Sequence, residues 1–466
     1  MADTYNNFIG AADTLLGELT ELAESDKTIT DTKFSDIDVR IGRLRSLLKS
    51  IETKNKITDI LEDTSGGADD LNKSSKYYGQ DSSYRMFCYE CKTKIRSDKY
   101  RHMMYRSMCI LCGNINMFKR NAQSDQTNRV AIVTGGRVKI GFETALSLLK
   151  NGAIVIVTSR FVDDCFERYS ETDEFESFKD RLHIYQLNML VESNIDRFVR
   201  YVKSNFERVD YLINNAAQTI RRPKEFYQHV IDKYETHDTP LIVNRNPEEI
   251  DLLLTSDRNI DLHLPYHPDL RITDGDGDKD DDDTSNALAQ INQYFPQGKF
   301  DEFGQQLDLR DMNSWMLELE QVSRKEFIEI LIINVVGPFI LCQDLKDIMG
   351  FSDPNSPKDD EHSWVINVTS MEGIFNWKHK PTSHPHTNIA KAGLNMMTRT
   401  CGAHYIKSGI VMVGVETGWN NSQHPNSYDR ITPIDCKDGA ARILNPIYRR
   451  QLQHSVIYKD FKPIDF

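Results

Sequence analysis

The residues Val130-Ala-Ile-Val-Thr-Gly-Gly-Arg-Val-Lys-Ile-Gly141 give the clearest indication of fold in this 466-residue chain. The first five residues are apolar or β-branched and predict a buried strand. The glycines that follow predict a tight turn leading at once into a helix. Glycine lets the backbone approach a pyrophosphate, and a helix N-terminus offers N–H donors and the positive end of a dipole. The stretch therefore predicts a strand, a phosphate-binding turn and a helix.

Strands and helices continue to alternate after this turn. We expect the helix to run through Leu149, a second strand over Ile154–Ser159, and later strands over 211–213 and 411–415. Such alternation predicts the α/β class with a doubly wound parallel sheet. The alternation of strands and helices stops after Ala217 and resumes near Lys325. The domain, 126–466, is therefore predicted to carry an insertion at about 221–325.

The residues before this domain include a helical arm, 1–65, and a polar linker, 66–85, which contains Gly66-Gly67. Apolar residues of the arm recur at alternating steps of four and three, as in a short coiled coil or helical hairpin. They are Ile37, Ile41, Leu44, Leu48 and Ile51. Two interpretations stay open: the helices pack on each other or on the main domain, or they bind a protein partner or a second copy of the chain.

Four of the eight cysteines are clustered in a small module, 86–120. Cys88 and Cys91 form one Cys-x-x-Cys turn and Cys109 and Cys112 form another, which is the spacing of a four-cysteine zinc site. Four thiolates complete a tetrahedron and leave no coordination position open, so the zinc is predicted to be structural rather than catalytic. Two redox-active or unligated cysteine pairs are the alternative.

Basic residues are concentrated in the same module, although the chain carries a net charge of −13. They are Lys92, Lys94, Arg96, Lys99, Arg101, Arg106, Lys119 and Arg120. DNA affinity comes from neutralising phosphates with Lys and Arg, so the acidic balance argues against wholesale binding to nucleic acid. We favour an intramolecular contact of the module with the acidic remainder of the chain over a local nucleic-acid contact.

The sequence predicts neither a membrane protein nor a secreted one. No apolar run approaches the roughly 18–20 residues that span a bilayer. The N-terminus lacks the charged and apolar regions of a signal peptide. We expect a cytoplasmic protein, with the nucleus as the open alternative.

Further motifs follow the glycine-rich turn in a fixed order. Asn214-Asn-Ala-Ala217 follows one strand, Ser370 ends another, Thr387-x3-Lys391 opens a helix, and Thr417-Gly418 follows a third strand. Over about 128–220 and 325–425 the chain resembles the short-chain dehydrogenases/reductases. The resemblance implies a Rossmann-type fold and hydride transfer between NAD(P) and a carbonyl or alcohol of a small-molecule substrate.

The resemblance also implies the residues of the cofactor site. They are Thr134, Gly135, Gly136, Arg137, Lys139, Ile140, Gly141, Arg160, Asn188, Asn215, Ala216, Lys391 and Gly418. Lys139 stands where the family's middle Gly is usual, as a basic residue does in the family's pteridine reductases. Arg160 stands where NAD-specific proteins commonly have an acidic residue. Asn188 replaces the Asp usual against the adenine. A cation beside the 2′-phosphate favours NADP over NAD.

The resemblance assigns catalytic roles to three matched residues. Ser370 orients the substrate carbonyl, Lys391 holds the ribose, and Asn334 anchors a proton-relay water. The family's acid/base Tyr is replaced by Thr387, whose aliphatic hydroxyl does not ionise near neutral pH. The spacing from Ser370 to Lys391 is longer than usual, so the segment containing His386 occupies the active-site rim.

Three interpretations of Thr387 stay open. In the favoured one the chain is an oxidoreductase: either His386 or His384 replaces the Tyr, because the pKa of imidazole suits acid/base work, or the substrate needs little proton assistance. In the second it is a pseudoenzyme that binds NADP(H), while the zinc module and helical arm contact other proteins. In the third, Tyr266 or Tyr294 of the insertion reaches the site.

Two neighbouring arginines follow the Asn-Asn-Ala-Ala motif. Arg221 and Arg222 lie near the predicted strand end, where ligands bind in such sheets. They either meet an anionic substrate or cofactor phosphate, or pair with the acidic insertion. Because both ends of the insertion return to the strand ends, we expect it to cover the substrate cleft.

Overall fold

A nine-stranded sheet organises the part of the chain that the structure, a computed structural model, describes. The described residues are 87–95, 98–234, 243–244, 291–351, 362–376, 380–425 and 431–466. The predicted helical arm, 1–65, the linker, 66–85, and Tyr266 lie outside these residues.

The strands lie in the order β5-β3-β2-β1-β4-β6-β7-β8-β9 and are parallel, except that β8 and β9 are antiparallel. Their bounds are β1 Val130–Thr134, β2 Ile154–Ser159, β3 Leu182–Gln186, β4 Tyr211–Asn214, β5 Val243–Asn244, β6 Ser363–Thr369, β7 Ile410–Glu416, β8 Ile457–Lys459 and β9 Lys462–Ile464. The strand order reverses between β1 and β4, and ligands of doubly wound sheets bind at such a switch point. The predicted Rossmann-type α/β fold is confirmed.

Helices cover both faces of this sheet. They are α1 Ile110–Arg120, α2 Lys139–Lys150, α3 Val162–Ser170, α4 Phe175–Phe178, α5 Glu192–Asn205, α6 Lys224–Tyr234, α7 Arg324–Leu331, α8 Gly337–Leu345, α9 Pro385–Tyr405 and α10 Cys436–Tyr448. A π-helical turn, Ile332–Val336, joins α7 to α8. The insertion supplies α6 and β5, and β5 extends the sheet beside β3, which the sequence pattern did not predict.

Two apolar clusters follow from the alternation of side chains along the strands. On one face Ala131 and Val133 of β1 pack with α2, α3 and α10. On the other face Val130 and Ile132 pack with α5, α8 and α9. The site at the strand ends is thus held between two buried layers.

The helical stretch Arg324–Ile348 is long and apolar enough to cross a membrane by composition, with a mean hydropathy of 1.8 over its most apolar window. The expectation that no apolar run approaches this length is therefore wrong. Leu341 and Leu345 of this stretch are fully buried in the cluster with α5 and α9. These side chains belong to the buried core, and this explains why the helical stretch is apolar.

Candidate cofactor and active site

The glycine-rich turn joins β1 to α2 and is held against the end of β4. The Thr134 hydroxyl accepts hydrogen bonds from the backbone N–H groups of Asn215 and Ala216, each 3.0 Å long. The Asn215 side chain donates to the carbonyls of Thr134 and Gly135. A Cβ on Gly135 would lie 2.9 Å from Cα of Ala216, and one on Gly141 would lie 2.4 Å from the Gly135 oxygen. The close packing explains why the turn requires glycine at both positions.

Lys139 is the first residue of α2 and has a left-handed φ of 57°. Its Nζ lies 5.1 Å from the ring centroid of Phe303, a residue of the insertion. Burial, followed by the charge of the nearby Arg222, lowers the pKa of Lys139 to about 8. The cation is therefore held under the insertion at the helix N-terminus, where an anion is favoured.

Three arginines converge on Tyr227 of α6 at the end of β2. The Arg160 guanidinium lies 5.0 Å from the Tyr227 ring centroid, and Tyr227 stacks on Phe161 at 5.2 Å. Burial alone would raise the pKa of Tyr227, but Arg160, Arg222 and Arg137 together lower it below its ordinary value. This end of the site therefore carries an excess of positive potential.

Arg137 and Asn188 are engaged within the protein. The Arg137 guanidinium forms a buried ion pair with Asp164 at 2.6 Å. The Asn188 side-chain oxygen accepts from the Leu190 N–H at 3.1 Å. Asp164 and Tyr227 were not among the expected site residues, because their sequence surroundings give no motif.

A cleft of about 760 Å³, including its open mouth, lies between the turn and the segment after β7. Its lining comprises Lys139, Ile220, Arg222, Phe226, Asn313, Thr432 and parts of the segments 301–308 and 420–424. Arg222 pairs with Asp308 at 3.6 Å and Arg221 with Glu329 at 3.0 Å. Both arginines therefore have acidic partners, although Arg222 still borders the cleft.

Lys391 lies against the end of β6, the strand that Ser370 follows. Lys391 is buried, and its Nζ donates a 2.8 Å hydrogen bond to the carbonyl of Val368, two residues before Ser370. The turn after Ser370 packs on the helix backbone, since a Cβ on Gly373 would lie 2.5 Å from the carbonyl carbon of Lys391. Burial lowers the pKa of Lys391 to about 8.

Asn334 lies in the π-helical turn between α7 and α8. Its side-chain oxygen accepts from the Gln218 N–H at 2.8 Å, and its Nδ2 donates to the Gln218 carbonyl at 2.9 Å. Single π-turns in helices are frequent at functional sites. The pair of bonds fixes the chain that leaves β4 beside the helix.

Thr387 and His386 are both buried near the start of α9, and neither side chain has a hydrogen-bond partner among the described residues. Thr387 lies one helical turn before Lys391, so the two share a face. His386 Nε2 instead lies 3.9 Å from a carboxylate oxygen of Glu326 on α7. Burial, followed by the charge of His384, lowers the pKa of His386 to about 4.

The described part of the insertion covers the start of α9. Trp315 stacks on His384 with ring centroids 3.8 Å apart, and the Trp315 carbonyl lies 2.9 Å from His384 Nδ1. The backbone of Tyr294 bonds to Leu309, and no described hydrogen bond joins Tyr294 to Ser370, Thr387 or Lys391. The insertion therefore contacts the start of α9 through Trp315.

The four clustered cysteines meet in one place. Their sulfur atoms all lie within 4.8 Å of one another, with 3.9 Å between Cys91 and Cys109. The pKa of Cys91 lies below its ordinary value, chiefly because of its hydrogen bond with Cys109. The set of four thiols fits Zn²⁺, which prefers tetrahedral sulfur ligands.

The cysteine module docks on α10. The Tyr105 hydroxyl donates to Asp438 at 2.5 Å, and Arg120 pairs with Asp435 at 2.5 Å. Arg442 of α10 is buried and donates to Asn116 of α1 at 2.8 Å. At least one of the module's basic residues, Arg120, thus has the intramolecular role that we favoured.

Residues 129–236 match the family described as short chain dehydrogenase. This segment contains the glycine-rich turn, Arg160 and the Asn-Asn-Ala-Ala motif. An uncharacterized protein of Acanthamoeba polyphaga mimivirus is 28% identical over 397 residues, which are 80% of this chain and 74% of that protein.

Matches to named dehydrogenases are shorter. The (+)-neomenthol dehydrogenase of Capsicum annuum is 37% identical over 98 residues, 21% of this chain and 31% of that protein. Retinol dehydrogenase 13 of Mus musculus is 37% identical over 89 residues, 19% of this chain and 26% of that protein. The chain therefore matches less than a third of these two relatives' lengths.

Two solved structures align with part of this chain. A short chain dehydrogenase from Burkholderia cenocepacia J2315 in complex with NADP has a TM-score of 0.43 and 14% identity, covering 71% of this chain and 95% of that chain. The RhlG/NADP complex of Pseudomonas aeruginosa has a TM-score of 0.38 and 16% identity, covering 64% of this chain and 75% of that chain.

Proposed function

We propose that this chain is an NADP(H)-dependent oxidoreductase of the short-chain dehydrogenase type, acting on a carbonyl or alcohol group of a small molecule. The observation that carries the proposal is the cleft beside the glycine-rich turn, which is bordered by Lys139 and Arg222. The match of residues 129–236 to the family supports it. The matched relatives named as dehydrogenases of neomenthol and retinol favour an alcohol or carbonyl substrate.

The residues present fit a dinucleotide phosphate. The N-terminus of α2 and the Lys139 ammonium favour the pyrophosphate, because both supply positive charge to an anion. Arg160 at the end of β2 and the Tyr227 hydroxyl beside it favour the 2′-phosphate of NADP(H). NAD(H), which lacks that phosphate, is the weaker ligand in this proposal.

A bound nicotinamide would supply or accept the hydride, and this chain's residues would hold the substrate and move the proton. The Ser370 hydroxyl orients the substrate oxygen. Lys391 Nζ holds the proton, because a buried ammonium with a pKa of about 8 is matched to proton transfer near neutral pH. The stacked Trp315 and His384 help to exclude water from this end of the site.

This assignment revises our preference for a histidine. With a pKa of about 4, His386 is unprotonated at pH 7 and faces Glu326 on α7. Thr387 supplies no ionisable group. Lys391 combines a suitable pKa with a position at the end of β6, the strand that Ser370 follows, and it therefore replaces the missing tyrosine as proton donor in our proposal.

Thr387→Val tests this proton assignment. The variant exchanges a buried hydroxyl without a described partner for a methyl group, so we expect unchanged turnover and a stability gain of about 1 kcal/mol. Oxidation of NADPH with a panel of aldehydes, ketones and quinones measures turnover. A loss of turnover of about tenfold or more, the size expected for one lost interaction, would assign a catalytic role to Thr387. Absence of turnover in the wild type with every substrate class would favour a binding protein.

Arg160→Gln tests the cofactor preference. Losing a charge-assisted hydrogen bond to the 2′-phosphate should weaken NADPH binding by about 10- to 100-fold and leave NADH binding unchanged. Arg399→Gln, at the surface beside Phe466, is the matched control and should change neither affinity. Equal weakening of NADPH and NADH by Arg160→Gln would contradict the assignment.

We propose one structural zinc held by Cys88, Cys91, Cys109 and Cys112, a cytoplasmic location, and a protein partner or second copy at the N-terminal helical arm. No nucleic-acid or membrane role is proposed.

A further inference from the structure

The segment after β7 forms the wall of the cleft opposite the glycine-rich turn. Residues 420–424 line the same cleft as Lys139. The Asn420 side chain also packs against the start of α10 close to Ile140, since a Cβ on Gly439 would lie 3.1 Å from Asn420 Nδ2 and 3.2 Å from Ile140. The position of this wall therefore sets the width of the cleft.

The wall begins at a position that only glycine fits. Gly418 has a φ of 79°, and a Cβ there would lie 2.5 Å from Ile434 and 3.4 Å from the Tyr89 hydroxyl. The Gly418 N–H donates to the Glu416 carboxylate at 2.9 Å. Because the glycine backbone itself is permissive, the contacts of the neighbouring residues determine where the wall lies.

Tyr89 holds the next residue of the wall from outside the sheet domain. The Trp419 N–H donates a 2.7 Å hydrogen bond to the Tyr89 hydroxyl. Tyr89 itself lies between Cys88 and Cys91, and its N–H donates to the Ser107 carbonyl at 2.8 Å. The side chain of Tyr89 thus connects the first cysteine turn to the backbone of the wall.

The opposite end of the wall is held by other elements. The Gln423 carbonyl accepts from the Asn313 side chain at 2.9 Å, and the Gln423 side-chain oxygen accepts from the Thr219 hydroxyl at 2.9 Å. Tyr89 therefore acts on the end of the wall nearest β7. In a doubly wound sheet a dinucleotide extends across the switch point, so the half of the ligand away from Arg160 lies toward this end.

We infer that the four-cysteine module positions the 417–424 wall through Tyr89 and thereby sets the affinity for the nicotinamide half of NADP(H). The inference rests on the proposed function. Tyr89 is a positioning residue, because it contacts the backbone of the wall and not the ligand. The module thus has a second role besides its own metal-dependent structure.

Tyr89→Phe tests the inference in the full-length protein. The variant keeps the ring and removes the acceptor of the Trp419 N–H, so NADPH should bind about fivefold more weakly. Binding of 2′,5′-ADP, which has only the adenosine half, should be unchanged, and the zinc content should equal that of the wild type. Calorimetric titration measures both affinities.

Tyr105→Phe is the matched control. It also removes a tyrosine hydroxyl between the module and α10, but its partner is Asp438 and not the wall. We expect unchanged NADPH affinity in this variant. Equal effects of the two variants on NADPH, no effect of Tyr89→Phe, or an equal loss of 2′,5′-ADP binding would overturn the inference. A wild type that binds neither NADPH nor NADH would overturn the proposed function itself, and the inference with it.

Discussion

Lys391→Met is expected to reduce turnover by at least about 100-fold, because the variant removes the group that holds the proton beside the substrate. The protein without cofactor should at the same time become more stable. Burying the Lys391 ammonium lowers its pKa from 10.5 to about 8, and this shift corresponds to a cost of about 3 kcal/mol for the charged form. Methionine fills similar volume without a charge, although the lost bond to the Val368 carbonyl offsets part of the gain.

The stability gain depends on pH in a defined direction. Between pH 8 and 10.5 the unfolded chain binds more protons at Lys391 than the folded chain does, so wild-type stability rises with pH across this window. The advantage of Lys391→Met should therefore be largest below pH 8 and disappear toward pH 10.5. Denaturant unfolding at several pH values measures it.

The pH dependence of turnover carries a separate sign. Reduction of a carbonyl requires Lys391 protonated, so its rate should fall as pH rises through about 8, and alcohol oxidation should show the reverse. Lys119→Met is the matched control, because Lys119 of the cysteine module is also buried but donates to Asn445 of α10. Turnover that survives Lys391→Met unchanged would show that the proton comes from another group.

Removal of zinc is expected to unfold the cysteine module while leaving the rest of the described domain folded. Structural zinc contributes on the order of 10 kcal/mol to small four-ligand domains. The purified chain should contain about one zinc, and strong chelation should release it and open 87–120 to backbone hydrogen exchange. The sheet should remain protected, because its two apolar clusters do not depend on the module.

Two cysteine variants provide the comparison for the metal. Cys91→Ser replaces one of the four clustered thiols and should lose zinc, whereas Cys401→Ser, on α9, should keep it. A fully folded protein without metal would contradict the structural role. Retention of one zinc per chain by Cys91→Ser would contradict the ligand assignment.

The parts of the fold that sequence predicted are those with local signals. β1 and β2 have the expected bounds, because runs of buried apolar residues between turns specify strands directly. The four cysteines converge as their spacing predicted. The glycine-rich turn leaves no room for a Cβ at Gly135 or Gly141. The prediction of the turn depended on this steric requirement for glycine.

The parts that sequence did not predict depend on long-range contacts. Tyr227 meets Arg160, Phe303 covers Lys139, and Tyr89 holds the N–H of Trp419. None of these aromatic residues lies at a spacing that marks it as functional. The pKa of His386 likewise depends on burial under the insertion, so sequence alone favoured it as an acid/base group.

Titration of the wild-type chain with NADPH and with NADH tests the proposed cofactor site. Binding to the cleft predicts saturable binding of about one NADPH per chain, with NADH weaker by the contribution of the 2′-phosphate contacts, about 10-fold or more. Equal or tighter binding of NADH would contradict the assignment of Arg160, and binding of neither nucleotide would contradict the cofactor site as a whole.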